Sequence, residues 1–184
     1  MKYLITFLLL SFSLPSFQTN RQIFDDFHRV FEQSDFEKMD LLLTEDFSLV
    51  QDGKVSSNKI EYLKYMMNWN KAFNTKWNVV SVEEAGQQIK SIEYDSDIFN
   101  DYFYGDKMKF KYTYSFDKTK LKSITIDTLP GTAKLRATFD ERFRKFYNWV
   151  YFNFPDKLQY LNQADKQAVL KEKELLEKYL VSLK

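Results

Sequence analysis

The sequence predicts an α+β fold: a curved antiparallel β-sheet wrapped around N-terminal helices in a cone-like arrangement, with further helices at the C-terminus. Helical periodicity dominates residues 21–73, period-2 alternation takes over from 76 to 127, and helical spacing returns after Gly131. The clearest strand is "KMKFKYTYSF", residues 107–116. Lys107, Lys109, Lys111, Thr113 and Ser115 fall on one face, and Met108, Phe110, Tyr112, Tyr114 and Phe116 on the other. At 184 residues and 44% hydrophobic, the chain can bury the core of one domain, and only 4 Gly and 3 Pro argue against disorder.

Residues 1–18 read as a signal peptide. Lys2 forms a short basic region, an apolar run extends from Tyr3 to Phe12, and Ser11, Ser13 and Ser16 surround the helix-breaking Pro15. A spanning helix needs ~20 apolar residues, so cleavage is expected, with the mature chain starting between Leu14 and Asn20. The expected location is the periplasm or beyond, in a bacterial setting, with no stable membrane association after cleavage. There is no cysteine, so no lipid anchor, disulfide or thiolate metal site can form. The formal net charge is +1, and removal of Lys2 leaves the mature chain neutral. Without a basic stripe there is no electrostatic footprint for nucleic acid.

Each element follows from local pattern. Ile23, Phe24, Phe27, Val30 and Phe31 share one helical face; "DFEKMDLLL" starts a second helix capped by Ser34 or Asp35. "TEDFSLVQDGKVSS" reads as two short strands around an Asp52-Gly53 hairpin turn. A third helix begins at the capping run Ser56–Asn58 and carries Ile60, Leu63, Met66, Met67 and Trp69 to about Phe73. Strands are expected at 76–84, 87–96, 107–116 and 120–127, with the glycines at punctuation between elements. The spacing of Ile89 and Ile92 suggests a β-bulge in the second of these. Leu135, Phe139, Phe143, Phe146 and Val150 define a long amphipathic helix, Pro155 interrupts it, and a last helix runs from Asp165 to Leu183. That helix is expected inward along Val169, Leu176, Leu180 and Leu183, and polar all round between Lys171 and Glu174. The domain organisation is therefore 1–18 leader, 19–131 main domain, and 132–184 helical extension packed on it.

The order helix, helix, short hairpin, helix, four strands resembles the nuclear transport factor 2-like superfamily, also called SnoaL-like or cone-fold. The segment "LLLTEDFSLVQDGKVSSNKIEYLKYM" resembles the family's passage from second to third helix. The resemblance covers about residues 20–128 and is one of order and pattern, since this superfamily has no sharp signature. It implies a conical cavity between sheet and helices. The Met108–Phe116 aromatic face would then point inward, and the lysine face outward beside Glu93 and Asp95. Enzymes of the ketosteroid-isomerase type place a general base near the end of the first short strand, which here falls on Gln51 or Asp52. Glutamine cannot accept the proton, Asp52 is more naturally a turn residue, and helix 1 has no tyrosine for the family's donor.

His28 is the only histidine. A lone histidine can serve as a general base, but it builds neither a dyad nor a three-histidine zinc site, and no cofactor is expected. His28 and Asp52 are therefore weak catalytic candidates. Glu45-Asp46 reads as solvation of the approach to the first strand. Tyr62, Trp69, Trp77, Tyr94, Tyr112 and Tyr114 are the ligand-binding candidates, because buried phenols and indoles need partners for their O–H and N–H groups. Within the aromatic strand, Phe110 is expected to pack as core while Tyr112 and Tyr114 reach the cavity. The expected function is binding of a small apolar or amphipathic ligand without demonstrable catalysis. Alternatives are a small-molecule isomerase or hydrolyase, and a dimerising interaction module with a filled core. Phe146, Trp149, Phe152 and Phe154 would plug the cone mouth or form a partner surface.

Overall fold

A computed structural model describes residues 18–184. The predicted leader and its cleavage site lie outside the described residues, apart from Gln18 to Asn20. Helix α1 (Asn20–Glu32) opens with a capping box: the Thr19 hydroxyl accepts from the Gln22 N–H, and the Gln22 side chain accepts from the Thr19 N–H. Its buried residues are Ile23, Phe24, Phe27, Val30 and Phe31, the face given by the spacing. Asp35 caps α2 (Phe36–Leu42), and Asn58 with Glu61 forms a second capping box on α3 (Lys59–Phe73). Between them, β1 (Leu43–Gln51) and β2 (Lys54–Asn58) turn through Asp52 and Gly53, whose φ values of 50° and 76° form the tight hairpin expected of this pair.

Four long strands follow: β3 (Lys76–Ala85), β4 (Gln88–Ser96), β5 (Phe110–Asp117) and β6 (Lys120–Thr128). The six strands form one curved sheet in the order β2-β1-β6-β5-β4-β3. Every neighbouring pair is antiparallel except β1 and β6, which run parallel, so the sheet is mixed rather than purely antiparallel. A core of Phe24, Phe27, Phe31, Leu43, Phe47, Ile89, Tyr114, Leu121 and Ile124 fills the space between α1–α3 and the sheet.

Three features depart from the expectations. A seven-residue helix, α4 (Ile98–Tyr104), occupies the connection from β4 to β5, with Asp97 as its N-cap and Gly105 at φ 72° ending it. It displaces the start of β5 to Phe110, although Met108 is still buried. The bulge lies in β3 rather than β4: Val79 pairs with Glu93 and Ser81 with Ile92, so Val80 is the extra residue. With β4 itself regular, its inward face is Ile89, Ser91, Glu93 and then Asp95. Glu93 and Asp95 therefore do not flank the lysine face. In the ladder Ile89, Ser91 and Glu93 sit opposite Tyr114, Tyr112 and Phe110, and directly paired residues share a face.

The C-terminal segment comprises α5 (Ala133–Asn153), a 3₁₀ turn (Pro155–Tyr160) and α6 (Lys166–Ser182). A second apolar cluster joins it to α3 and α4 through Phe73, Phe99, Phe103, Phe146, Val150 and Leu176. Phe103 meets the rings of Phe139, Phe143 and Phe146 at 5.5, 5.5 and 5.7 Å. Trp149 and Phe154 join the cluster's edge, whereas Phe152 is 78% exposed. Two expectations for the last helix are corrected: Glu172, in the stretch read as polar all round, is fully buried, and Leu183, expected inward, is exposed just past the end of α6. No described helix is long and apolar enough to cross a membrane.

Candidate functional site

Beneath β4 and β5 the space between sheet and helices divides into a sealed end and a hollow end. At the sealed end Phe24 and Phe27 pack on the Tyr114 ring at 4.9 and 5.9 Å. Here Glu93, wholly buried, gathers donors from three directions. The Tyr114 hydroxyl lies 3.0 Å from both carboxylate oxygens, Ser91 Oγ donates to Oε1, and His28 Nε2 is 3.2 Å from Oε2. His28 Nδ1 lies 2.9 Å from the Phe24 carbonyl, which can only accept, so Nδ1 carries its hydrogen. The His28–Glu93 contact then shares one further proton. A buried carboxylate is tolerable only when its lone pairs are satisfied, and this one is. Burial, then the Glu93 charge, push the Tyr114 phenol well above its ordinary pKa.

The hollow end is a cavity of about 270 Å³. Phe110, Tyr112, Ile126 and Leu49 form its sheet side, Tyr62, Tyr65 and Met66 its α3 side, and Trp77 enters from β3. Asn100, Asp101 and Tyr104 of α4 close it with Asp106, and Asp95 reaches it from β4. Helix α4, absent from the sequence-based picture, is thus what walls the cone mouth. A second hollow of about 390 Å³ lies on the other side of that wall, against Trp69, Phe99, Phe139 and residues 162–164. Asp95, Tyr65, Met66, Asn100 and Tyr104 border both.

Asp95 is the strongly perturbed carboxyl of the cavity. Burial raises its pKa to about 7, the charges of Asp97 and Glu93 add to the rise, and His28 opposes it. Its Oδ1 is buried without a hydrogen-bond partner among the described residues, and the same holds for Tyr62 Oη and Trp77 Nε1. All three side chains line the one cavity. Neighbouring Asp97 is engaged differently: its carboxylate accepts from Thr75 Oγ1 at 2.6 Å and from the N–H and side-chain amide of Asn100.

The predicted ligand residues separate accordingly. Tyr62, Trp77 and Tyr112 border the cavity; Trp69 borders the second hollow, stacked on Phe73 at 4.4 Å. Tyr114 does not reach the cavity, because its hydroxyl is spent on Glu93. Tyr94 points to the outer face, where Lys107 Nζ sits 4.8 Å from its ring centroid. The division expected along the aromatic strand is reversed: Phe110 borders the cavity and Tyr114 is core, because β5 begins at the cone mouth beside α4. His28 belongs to the sealed network, and Asp52 to the exposed hairpin turn, 3.8 Å from Arg136. Gln51 does border the cavity. Asp95 and Glu93 were missed because Ile92 reads as inward; stepping by two from Ile89 selects both.

No family model matches the sequence, and no curated protein does. Solved structures do match. An NTF2-like protein of unknown function from Cytophaga hutchinsonii superposes with a TM-score of 0.51 at 16% identity, over 64% of this chain and 96% of that one. An LEH-like epoxide hydrolase from M. tuberculosis gives 0.51 at 8% identity, over 67% and 90%. An uncharacterised cystatin-fold protein from Novosphingobium aromaticivorans gives 0.51 at 12%, over 59% and 97%. The likeness is one of fold: a helix-filled cone with a sheet-walled cavity. At 8–16% identity the likeness reaches no further than the fold, which this chain shares with the NTF2-like protein.

Proposed function

We propose that the protein binds a small amphipathic molecule in the cone cavity, with Tyr62, Trp77, Tyr112 and Asp95 as its contacts. One observation carries this reading: the Tyr62, Trp77 and Asp95 side chains border the same space, and their Oη, Nε1 and Oδ1 atoms are buried without a hydrogen-bond partner among the described residues. An unpaired buried polar group costs about 1–3 kcal/mol. Three around one cavity are the arrangement expected of a site whose ligand supplies the partners, and a filled core would not retain them. Tyr62→Phe and Trp77→Phe should weaken binding of a neutral fluorescent amphiphile such as N-phenyl-1-naphthylamine while leaving the melting temperature within a few degrees of the parent. Unchanged binding by both variants would refute the assignment.

A second reading, acid–base chemistry on the bound molecule, is favoured by Asp95 alone. A carboxyl with a pKa of about 7 can both give and take a proton near neutrality. The ketosteroid-isomerase arrangement does not support it, since the matching position is neutral Gln51 and Asp52 faces away. An Asp95-dependent activity with a pH profile inflecting near 7 would establish this reading. The fold likeness to an LEH-like epoxide hydrolase makes epoxides the substrates to screen.

A further inference from the structure

The cavity has a chemical bias that its fold does not dictate. Tyr62, Tyr65, Trp77, Tyr104, Phe110 and Tyr112 surround it with aromatic faces. Its charged lining residues are Asp95, Asp101 and Asp106, and none of the described lining residues is Lys, Arg or His. Asp101 and Asp106 are exposed at the mouth, while Asp95 buries one carboxylate oxygen inside. The bases around the mouth do not line the cavity: Lys107 lies over the Tyr94 ring within electrostatic reach of Asp101 and Asp106, Arg136 stands between Asp52 and Tyr104, and Arg142 donates to the Tyr102 carbonyl. Aromatic faces carry negative quadrupole charge, so rings and carboxylates favour the same kind of guest.

Resting on the ligand-binding reading above, we infer that the cone selects an organic cation: an ammonium head attached to an apolar body that carries one acceptor oxygen. The ammonium lies against the ring faces and offsets the charge of Asp95. The acceptor oxygen satisfies the Trp77 N–H, which can only donate, and the Tyr62 hydroxyl; these residues are 7% and 3% exposed. The acidic mouth draws the cation in, and a carboxylate- or phosphate-bearing molecule meets repulsion along the same path. Asp95 couples recognition to pH. The groups acting on it are Asp97 and Glu93 from β4 and its end, and His28 from α1; phenols from α3, α4 and β5 border the same space. Because its carboxyl titrates near 7, cation affinity rises as pH increases from 6 to 8.

A matched set of probes tests this: 2-phenoxyethyltrimethylammonium, its neutral carbon isostere 3,3-dimethylbutyl phenyl ether, and the anion 2-phenoxyethanesulfonate. Binding is read by methyl NMR shifts of Met66 and Met108, which border the cavity, and by Trp77 fluorescence. The cation should bind at least about tenfold more tightly than the neutral isostere, and the anion not at all. Asp95→Asn should weaken the cation about tenfold, leave the neutral probe within about twofold, and flatten the pH dependence. Equal or tighter binding of the neutral probe or the anion in the cavity would overturn the cation assignment while leaving a ligand-binding cone. If none of the three moved the Met66, Met108 or Trp77 signals, the binding reading itself would fall, and the cation assignment with it.

Discussion

Replacing Tyr114 with phenylalanine isolates one buried hydrogen bond without opening a cavity, since the ring that packs on Phe24 and Phe27 remains. The lost hydroxyl lies 3.0 Å from both oxygens of Glu93, which is fully buried and keeps only Ser91 and His28 afterwards. Hydrogen bonds to charged groups contribute about 1.5–3 kcal/mol. In a chain of this size each kcal/mol moves the melting temperature by about 2–4 °C, so Tyr114→Phe should melt about 3–12 °C below the parent. Tyr112→Phe is the matched control: no protein group hydrogen-bonds its hydroxyl among the described residues, so its melting temperature should change little while cavity binding changes. Calorimetry and urea unfolding, with an unchanged m-value to show that the denatured state is the same, give the comparison. A Tyr114→Phe protein melting within about 1 °C of the parent, or one whose main defect is ligand affinity, would refute the division of β5 into a structural end and a cavity end.

The remaining predictions concern pH, the extension and the leader. Asp95 and Glu172 both have pKa values raised to about 7, each chiefly by burial, so the folded state holds protons that the unfolded chain releases above about pH 4–5. Stability should therefore fall as pH rises from about 5 to 7, by on the order of 2–3 kcal/mol for Glu172 and less for the more exposed Asp95. Glu172→Gln should flatten that slope in urea titrations at several pH values, and a parent that gains stability over this window would contradict the assignment. Phe146 is fully buried beside Phe103 and Tyr179, so Phe146→Ala should cost about 3–5 kcal/mol in a single unfolding transition, and truncation at Gly131, which strips the whole second cluster, should destabilise further. Two separate transitions would instead mark the extension as an independent unit. If residues 1–18 are a leader, the intact mass of the protein recovered from its producing cells should show a chain beginning between Leu14 and Asn20, and a full-length chain held in the membrane would refute the leader.

Most elements were legible because their signals are local. Thr19, Asp35, Asn58 and Asp165 are capping residues at helix starts, and Gly53, Gly86, Gly105 and Gly131 all take positive φ at element boundaries. Helix α4 was not legible, because "IFNDYFY" is only seven residues long and rich in β-branched and aromatic side chains that disfavour helix; tertiary packing of Phe99 and Phe103 decides it. The site was legible in its aromatics and hidden in its acids. Tyr62, Trp77 and Tyr112 could be inferred from residue type and alternation, whereas a carboxylate on a buried face is read by default as solvated. Ile92 strengthened that default by suggesting the opposite face of β4. The bulge that resolves the conflict sits at Val80 in the partner strand, where only pairing, not sequence, reveals it.

A crystal structure of the protein isolated from the cells that produce it, at a resolution that shows ordered solvent, tests the central claim most directly. An organic molecule is expected in the cone, touching Asp95 and at least one of Tyr62 and Trp77. A cone closed by repacked side chains, with those three residues hydrogen-bonded to protein groups, would contradict that claim.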